Sequence, residues 1–543
     1  MKRTTRIVIS TVTIIIVVVV LLATLYKPTT LKAVEHTLHL GITKYEFKLM
    51  NPFVQPLYDA NFFGFTHVPL VIYTPDLNIT PCLAKSWEIG LDGKSIIFHL
   101  VENATWHDGK PVTAEDAAFS FEYWKKHKLR CQGYWYSKYL DRAEVIDRYT
   151  VKIIFKEAVA VYALQTYIPT TFIIPKHVWK KVEDPMKYSG KDAMIGCGPF
   201  MFEKYDVEAG VVYFRRYPNY FAGMPSIDKI EWRYYRTLEL LLLALKKGEI
   251  DAKFEYYNPV PGVYVASLVD DENIRLGVVP DIGVLLHLVF GYRQYPMSIR
   301  EFREAISYAI NYKTLIEMIA AGYGEVPSQG YTPPTAPFYN PNLPKLKYDP
   351  EKAKKILDRA GFIDRDGDGF REAPDGSKLR IPIYPYVKQE YTIRAAEIIE
   401  SQLRKIGLDV YVEVLSKEVI GKKVWIDRDY YMVVGYATPF GVLAAPAGAA
   451  YYADMPGFYG TCNDSELINL VKITLHAKSL EEMREYAYKV QEYVAREKPI
   501  IALIHGYAIY PYRIDKWGGW VLMDGYGPCN YWTWFKLKPK TSG

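Results

Sequence analysis

Beyond residue 36 the chain alternates between two hydrophobic periods. Short runs such as Ser95-Ile96-Ile97-Phe98-His99-Leu100 alternate polar and apolar positions, as a half-buried strand does. Longer stretches repeat at three and four residues. Phe302, Ala305, Ile306, Ala309 and Ile310 define one apolar face within a helix predicted over Ile299 to Ala320. Leu238 to Lys247 is a second helix, closed by Gly248, and Ala395 to Ile406 a third, closed by Gly407 and followed by a strand over Leu408 to Val414. Asp349 has the chemistry of a cap, Pro350 suits the first helical position, and Gly361 ends that helix. Asp281 to Phe290 is an almost unbroken apolar run with strand character. Strands interleaved with helices throughout predict a mixed α/β body.

The N-terminus has neither period. Met1 to Arg6 is basic, and Ile7 to Tyr26 is apolar apart from Ser10, Thr11, Thr13 and Thr24. That run has the length of about 20 residues needed to cross a bilayer, and exceeds the roughly 7–15 of a signal-peptide core. The expectation is an uncleaved anchor over residues 7–26, with a linker to residue 33 and a long cleaved signal as the alternative. Lys2, Arg3 and Arg6 would keep the N-terminus cytoplasmic and place the body outside the cell. The first cysteine is Cys82, too distant to carry a lipid at the end of the apolar run. The sequons at Asn78, Asn103 and Asn463 fit export weakly.

Charge and composition narrow the function. Of the net charge of +6, five positive residues (Lys2, Arg3, Arg6, Lys27 and Lys32) precede the first acid, so the body is nearly neutral and no nucleic-acid partner is expected. Cys82, Cys131, Cys197, Cys462 and Cys529 show no metal or redox spacing; export would allow two or four of them to pair. The ten histidines form no H-E-x-x-H, and there is no nucleophile elbow, Walker loop or dinucleotide fingerprint, so no enzyme is expected. The 47 tyrosines suit wet binding surfaces, although most are expected in cores and seams.

One loop has metal chemistry. Asp364, Asp366, Asp368 and Glu372 alternate around Gly369, with the Phe370 carbonyl and Asp375 completing a calcium-type spacing. The last position is ordinarily a bidentate Glu, so Asp375 predicts a weak structural calcium site. The alternative is an acidic surface turn.

The most specific signal is an ordered string. Leu83-Ala84-Lys85-Ser86-Trp87-Glu88 is followed by the turn Asp92-Gly93, then Phe98-His99-Leu100. Trp106-His107-Asp108-Gly109-Lys110-Pro111-Val112-Thr113-Ala114-Glu115-Asp116 completes it, with Thr113 and Asp116 as a helix cap and its answering acid. With Arg303 to Asn311 and Tyr348 to Ala353, this string resembles the family 5 solute-binding proteins, which deliver peptides, sugars or nickel to ABC importers. The resemblance implies a two-lobed fold of the periplasmic-binding-protein type II class. A first-lobe core would span 36–72, 195–285 and 506–543, an inserted domain 73–194, and a second lobe 286–505. It implies a monomeric receptor that captures a peptide or oligosaccharide between the lobes and hands it to ABC permease and ATPase subunits. A sensor or adhesin that has borrowed the fold, or a glycan-active enzyme, is the alternative. Motif order places Asn51, Phe53, Tyr292, Tyr436, Thr438 and Phe440 in the cleft. Gly435-Tyr436 matches the family's glycine–aromatic pair, but no acid follows before Asp454 to hold a peptide ammonium. Gly291-Tyr292 departs from the family's usual Asn.

Overall fold

A computed structural model describes residues 35–256, 258–386, 390–437 and 462–540. The chain divides into a short N-terminal unit, Met1–His36, and a body, Thr37–Gly543. The predicted span 7–26 lies outside the described residues, and among those described no helix is long and apolar enough to cross a membrane.

The body opens with strand β1 (Thr37–Ile42). The chain then builds a separate antiparallel sheet from β2 (Ala84–Ile89), β3 (Ser95–Leu100), β4 (Leu140–Asp147) and β5 (Thr150–Phe155), in the order β2-β3-β5-β4. The predicted hairpin is present: Ile89 pairs with Ile96, and Gly93 turns the chain at φ +69°. So is the helix behind it, Ala114–His127, where the Asp116 carboxylate accepts the Thr113 backbone N–H at 3.0 Å.

The chain returns to the first sheet through β6 (Phe200–Asp206), β7 (Val211–Arg216), β8 (Lys229–Tyr234) and β9 (Ala252–Lys253). It continues as β10 (Ile274–Pro280) and β11 (Val284–Phe290), then β12 (Ile381–Pro385), β13 (Val410–Val412), β14 (Met432–Ala437) and the long β15 (Ile500–Arg513). The strand order is β13-β12-β14-β11-β15-β9-β1-β8-β7-β6, with β10 also on β15.

Strand β15 joins the two ends of this sheet. Its first residues pair with β11, with Leu286 opposite Ile504, and its last with β10, where Pro280 faces Tyr507. Thirteen of its fourteen positions are buried, which explains the near-continuous apolar sequence Ile500-Ile501-Ala502-Leu503-Ile504. Separate cores flank the crossing. One gathers Phe65, Phe200, Phe214, Trp232, Phe254 and Trp534; the other gathers Leu288, Phe302, Ile306, Ile383, Ile399 and Leu503.

Three local expectations are corrected. The helix predicted over Ile299 to Ala320 is two, Arg300–Ala309 and Tyr312–Ala320, because Ile310 is extended and the Asn311 carboxamide caps the second by accepting Thr314 N–H. The apolar run from Asp281 becomes strand only at Val284, since the Asp281 carboxylate accepts the Gly283 N–H at 2.8 Å and turns the chain. The strand expected over Leu408 to Val414 narrows to β13. The five cysteines are free, four of them buried.

Candidate functional site

A cavity of about 300 Å³ lies beside the crossing of β10, β11 and β15. Leu285 comes from β11, Tyr507 and Ile509 from β15, and Lys44 from just after β1. Asn258, Pro259, Val260, Pro261 and Gly262 form one wall; Val260 donates its N–H to Ile509 O at 2.8 Å, which ties that wall to β15. Ile319 and Ala320 come from the end of the helix Tyr312–Ala320, and Tyr323 from the turn after it. Tyr391 and Tyr436 complete the lining, from the helix Glu390–Arg404 and from β14. Gly262 is required by packing: a Cβ there would meet Ala320 O at 2.8 Å. Four tyrosines, two prolines and a few polar groups have the composition of a small-molecule pocket.

The polar side of the cavity is organised by a buried ion pair. Lys253 and Glu255 contact each other with both side chains almost wholly buried. Glu255 also accepts Thr43 Oγ1 at 3.0 Å and Lys44 N at 2.9 Å, and Lys253 donates to Asn258 O. Burial pushes the Glu255 carboxyl up, but the Lys253 ammonium outweighs it and holds the group below its usual range. Lys44, half-buried, donates its Nζ to Tyr256 O at 3.2 Å and stands 5.2 and 5.8 Å from the ring centres of Tyr45 and Tyr256. Asp59, buried nearby, is pushed up to about 6 by desolvation, with Lys44 pulling in the opposite direction. Burial first, then Tyr436 and the Asp281 carboxylate, raise the Tyr391 hydroxyl above its ordinary value.

Of the residues predicted for the cleft, Tyr436 lines the cavity. Three others have structural positions instead. The buried Asn51 donates to Pro185 O and Tyr188 O, both at 2.8 Å, and accepts Phe53 N–H, so its carboxamide is used up in holding a loop. Phe53 is fully buried among Tyr123, Trp124, Phe172 and Trp179. Tyr292 donates its hydroxyl to Glu497 O, and its ring lies 4.0 Å beneath the Arg303 guanidinium. Thr438 and Phe440 lie outside the described residues. Lys44, Tyr391, Tyr507 and the 258–262 wall were not anticipated; only the paired prolines 259 and 261 carried a signal, that of a stiff segment.

In the acidic loop, carboxylate oxygens of Asp364, Asp366, Asp368 and Glu372 lie within 4.8 Å of one another. The set has the oxygen chemistry of a calcium site. The other two members of the predicted set make hydrogen bonds within the loop. Asp375 accepts Ser377 N–H and Oγ–H at 3.0 and 2.7 Å, which makes it a turn residue, and the Phe370 backbone contributes an N–H to Asp368 at 2.9 Å. Lys378 Nζ bridges Asp366 and Asp368 at 2.7 and 2.8 Å, supplying positive charge to the same carboxylates.

Comparison with known proteins fits this architecture. The chain is 27% identical to the dipeptide-binding protein of Escherichia coli (strain K12) over 356 residues, 62% of this chain and 63% of that protein. That match spans less than two thirds of the relative's length. Two solved structures share the fold. The oligopeptide-binding protein of Bacillus subtilis, in complex with a nonapeptide, gives a TM-score of 0.71 at 18% identity, covering 93% of this chain and 100% of that one. The mannohexaose-bound oligopeptide-binding protein of Thermotoga maritima gives 0.70 at 22%, covering 93% and 99%. The model of the bacterial extracellular solute-binding proteins, family 5 Middle, matches residues 78–454, and with more than half of its length so matched the chain belongs to this family of receptors.

Proposed function

We propose that this protein is an extracellular receptor that captures a peptide or an oligosaccharide in the cavity beside β15 and presents it to the permease and ATPase subunits of an ABC importer. The observation that carries the reading is the cavity itself. Its walls come from segments on either side of the crossing strands, so a ligand would touch both and favour the arrangement in which they approach. Lobes at 36–72 with 195–285 and 506–543, and at 286–505, would then hinge about β10, β11 and β15, with 73–194 as an inserted domain and residues 7–26 as the membrane anchor of a monomer. Relatives solved with a nonapeptide and with mannohexaose support both ligand classes. A sensor, an adhesin or a glycan-active enzyme has no comparable support.

The test is thermal-shift and calorimetric titration of the body, residues 35–543, against short peptides and manno-oligosaccharides. Tyr436→Ala should weaken whichever ligand binds by about tenfold to a hundredfold, as truncating a buried stacking aromatic does. Unchanged affinity in that variant would move the site elsewhere.

We propose in addition that the acidic loop binds calcium weakly through Asp364, Asp366, Asp368 and Glu372, in competition with Lys378. Chelator should lower the melting temperature of the body and excess calcium restore it, more so in Lys378→Met. A melting curve indifferent to chelator in both proteins would leave the loop an acidic turn closed by Lys378.

A further inference from the structure

Strands β1 and β9 run side by side, with Gly41 opposite Lys253. The chain leaving β1 brings Lys44 to the cavity, and the chain leaving β9 brings its wall, 258–262. Just past the strands, four residues close a ring. Lys253 Nζ meets the Glu255 carboxylate and donates to Asn258 O. Glu255 accepts Thr43 Oγ1–H at 3.0 Å, and the Asn258 carboxamide donates back to Thr43 Oγ1 at 3.4 Å. Lys253 and Glu255 are buried, whereas Asn258, Pro259 and Gly262 are half-buried and Pro261 is exposed. The wall beyond the ring has few amides to hold it, because its two prolines carry none. Val260 N–H reaches Ile509 O at 2.8 Å, and Gly262 lies close against Ala320.

From this we infer that Lys253 is a positioning residue for ligand capture, setting the wall of the cavity through the carbonyl of Asn258. The inference rests on the receptor reading of the cavity and adds a residue to it. Stability alone does not account for a charged pair at this place, since well-packed apolar residues of similar volume often serve as well or better. What an apolar pair cannot do is grip a carbonyl on another segment. An ammonium has three directed donors, enough for the Glu255 carboxylate and Asn258 O together. Glu255 balances the charge and extends the grip to Thr43 and to the Lys44 N–H. The wall is then in place before the ligand arrives, and less ordering is left to oppose binding.

The experiment compares two variants in which stability and wall placement diverge. Glu255→Gln leaves the Lys253 donor to Asn258 O but leaves that amine without its carboxylate, at a cost in stability. Lys253→Met with Glu255→Leu recovers stability and removes the donor. Each body is measured by hydrogen exchange of the peptide 258–268, relative to the core amides of β15. Calorimetry follows, with mannohexaose and with a tetrapeptide library of alanine, serine and phenylalanine, at a temperature where urea curves show each protein folded. The double variant should exchange the Val260 amide about tenfold faster and bind about tenfold more weakly whichever probe the wild type binds. Glu255→Gln, although less stable, should stay within about threefold of wild type in both readouts. Affinity that follows stability, lower in Glu255→Gln than in the double variant, overturns the inference. So does a folded double variant with wild-type exchange and affinity. If Glu255→Gln does not fold, the double variant decides by the same two readouts. A wild type that binds neither probe overturns the receptor reading, while faster Val260 exchange in the double variant still identifies Lys253 as the residue that sets the wall.

Discussion

Glu255→Gln is expected to destabilise the body by about 3–5 kcal/mol, the usual effect of removing one partner of a buried ion pair. The reason lies in what remains. Lys253 would keep an ammonium with almost no exposure, with Asn258 O as a neutral acceptor and no carboxylate to balance its charge. The substitution also weakens the acceptor for Thr43 Oγ1–H and Lys44 N–H, which hold the chain as it leaves β1. The pH dependence has a definite sign. The folded-state pKa of Glu255 lies below its ordinary value, so its contribution is complete above the unfolded pKa near 4.3 and is lost as pH falls through the lower folded value. Wild type should therefore lose stability on acidification in a window where Glu255→Gln does not. The double variant Lys253→Met, Glu255→Leu removes both charges and should recover most of the loss, apart from the amide hydrogen bonds that Leu cannot accept. Urea denaturation of the three proteins at neutral and acid pH measures this. A single variant as stable as wild type would mean that the pair is open to water.

The features legible in the sequence were those set by neighbours in the chain. The hairpin around Gly93, the Thr113–Asp116 cap and the helix Pro350–Arg359 with its Asp349 cap are local, and the residues that make them lie within a few positions of one another. The break at Asn311 was equally local and could have been read, since a cap-forming residue inside an apolar period is the signature of a new helix start. Asp375 is similar: Asp375-Gly376-Ser377 is a turn, and its carboxylate serves the turn before any metal. The cavity was legible only through Tyr436. Lys44, Tyr391 and Tyr507 are each more than a hundred positions from the next and meet only because β15 pairs with both β10 and β11. No periodicity within any one segment encodes such a meeting. The surroundings of Asn51 and Phe53 were illegible for the same reason, because the residues that bury them come from 123–188.

Phe53→Ala separates those two placements, since a core residue and a cleft residue fail differently. The ring is fully buried, with Trp124, Phe172 and Trp179 at centroid distances of 5.2, 5.2 and 5.0 Å. Its backbone is fixed independently. Phe53 N–H donates to Asn51 Oδ1 at 2.8 Å, while the Arg130 guanidinium donates twice to Phe53 O, at 3.1 and 2.6 Å. With the main chain held and the surrounding rings large and rigid, the site has little freedom to collapse into the space left by the side chain. The loss should fall within the range of about 3–5 kcal/mol for deleting a buried aromatic. Phe53→Leu, which refills part of the volume, should cost less. Ligand affinity, measured well below the melting transition, should match the wild type in both variants. The opposite pattern, a tenfold or greater loss of affinity with unchanged denaturation, would return Phe53 to the ligand cleft.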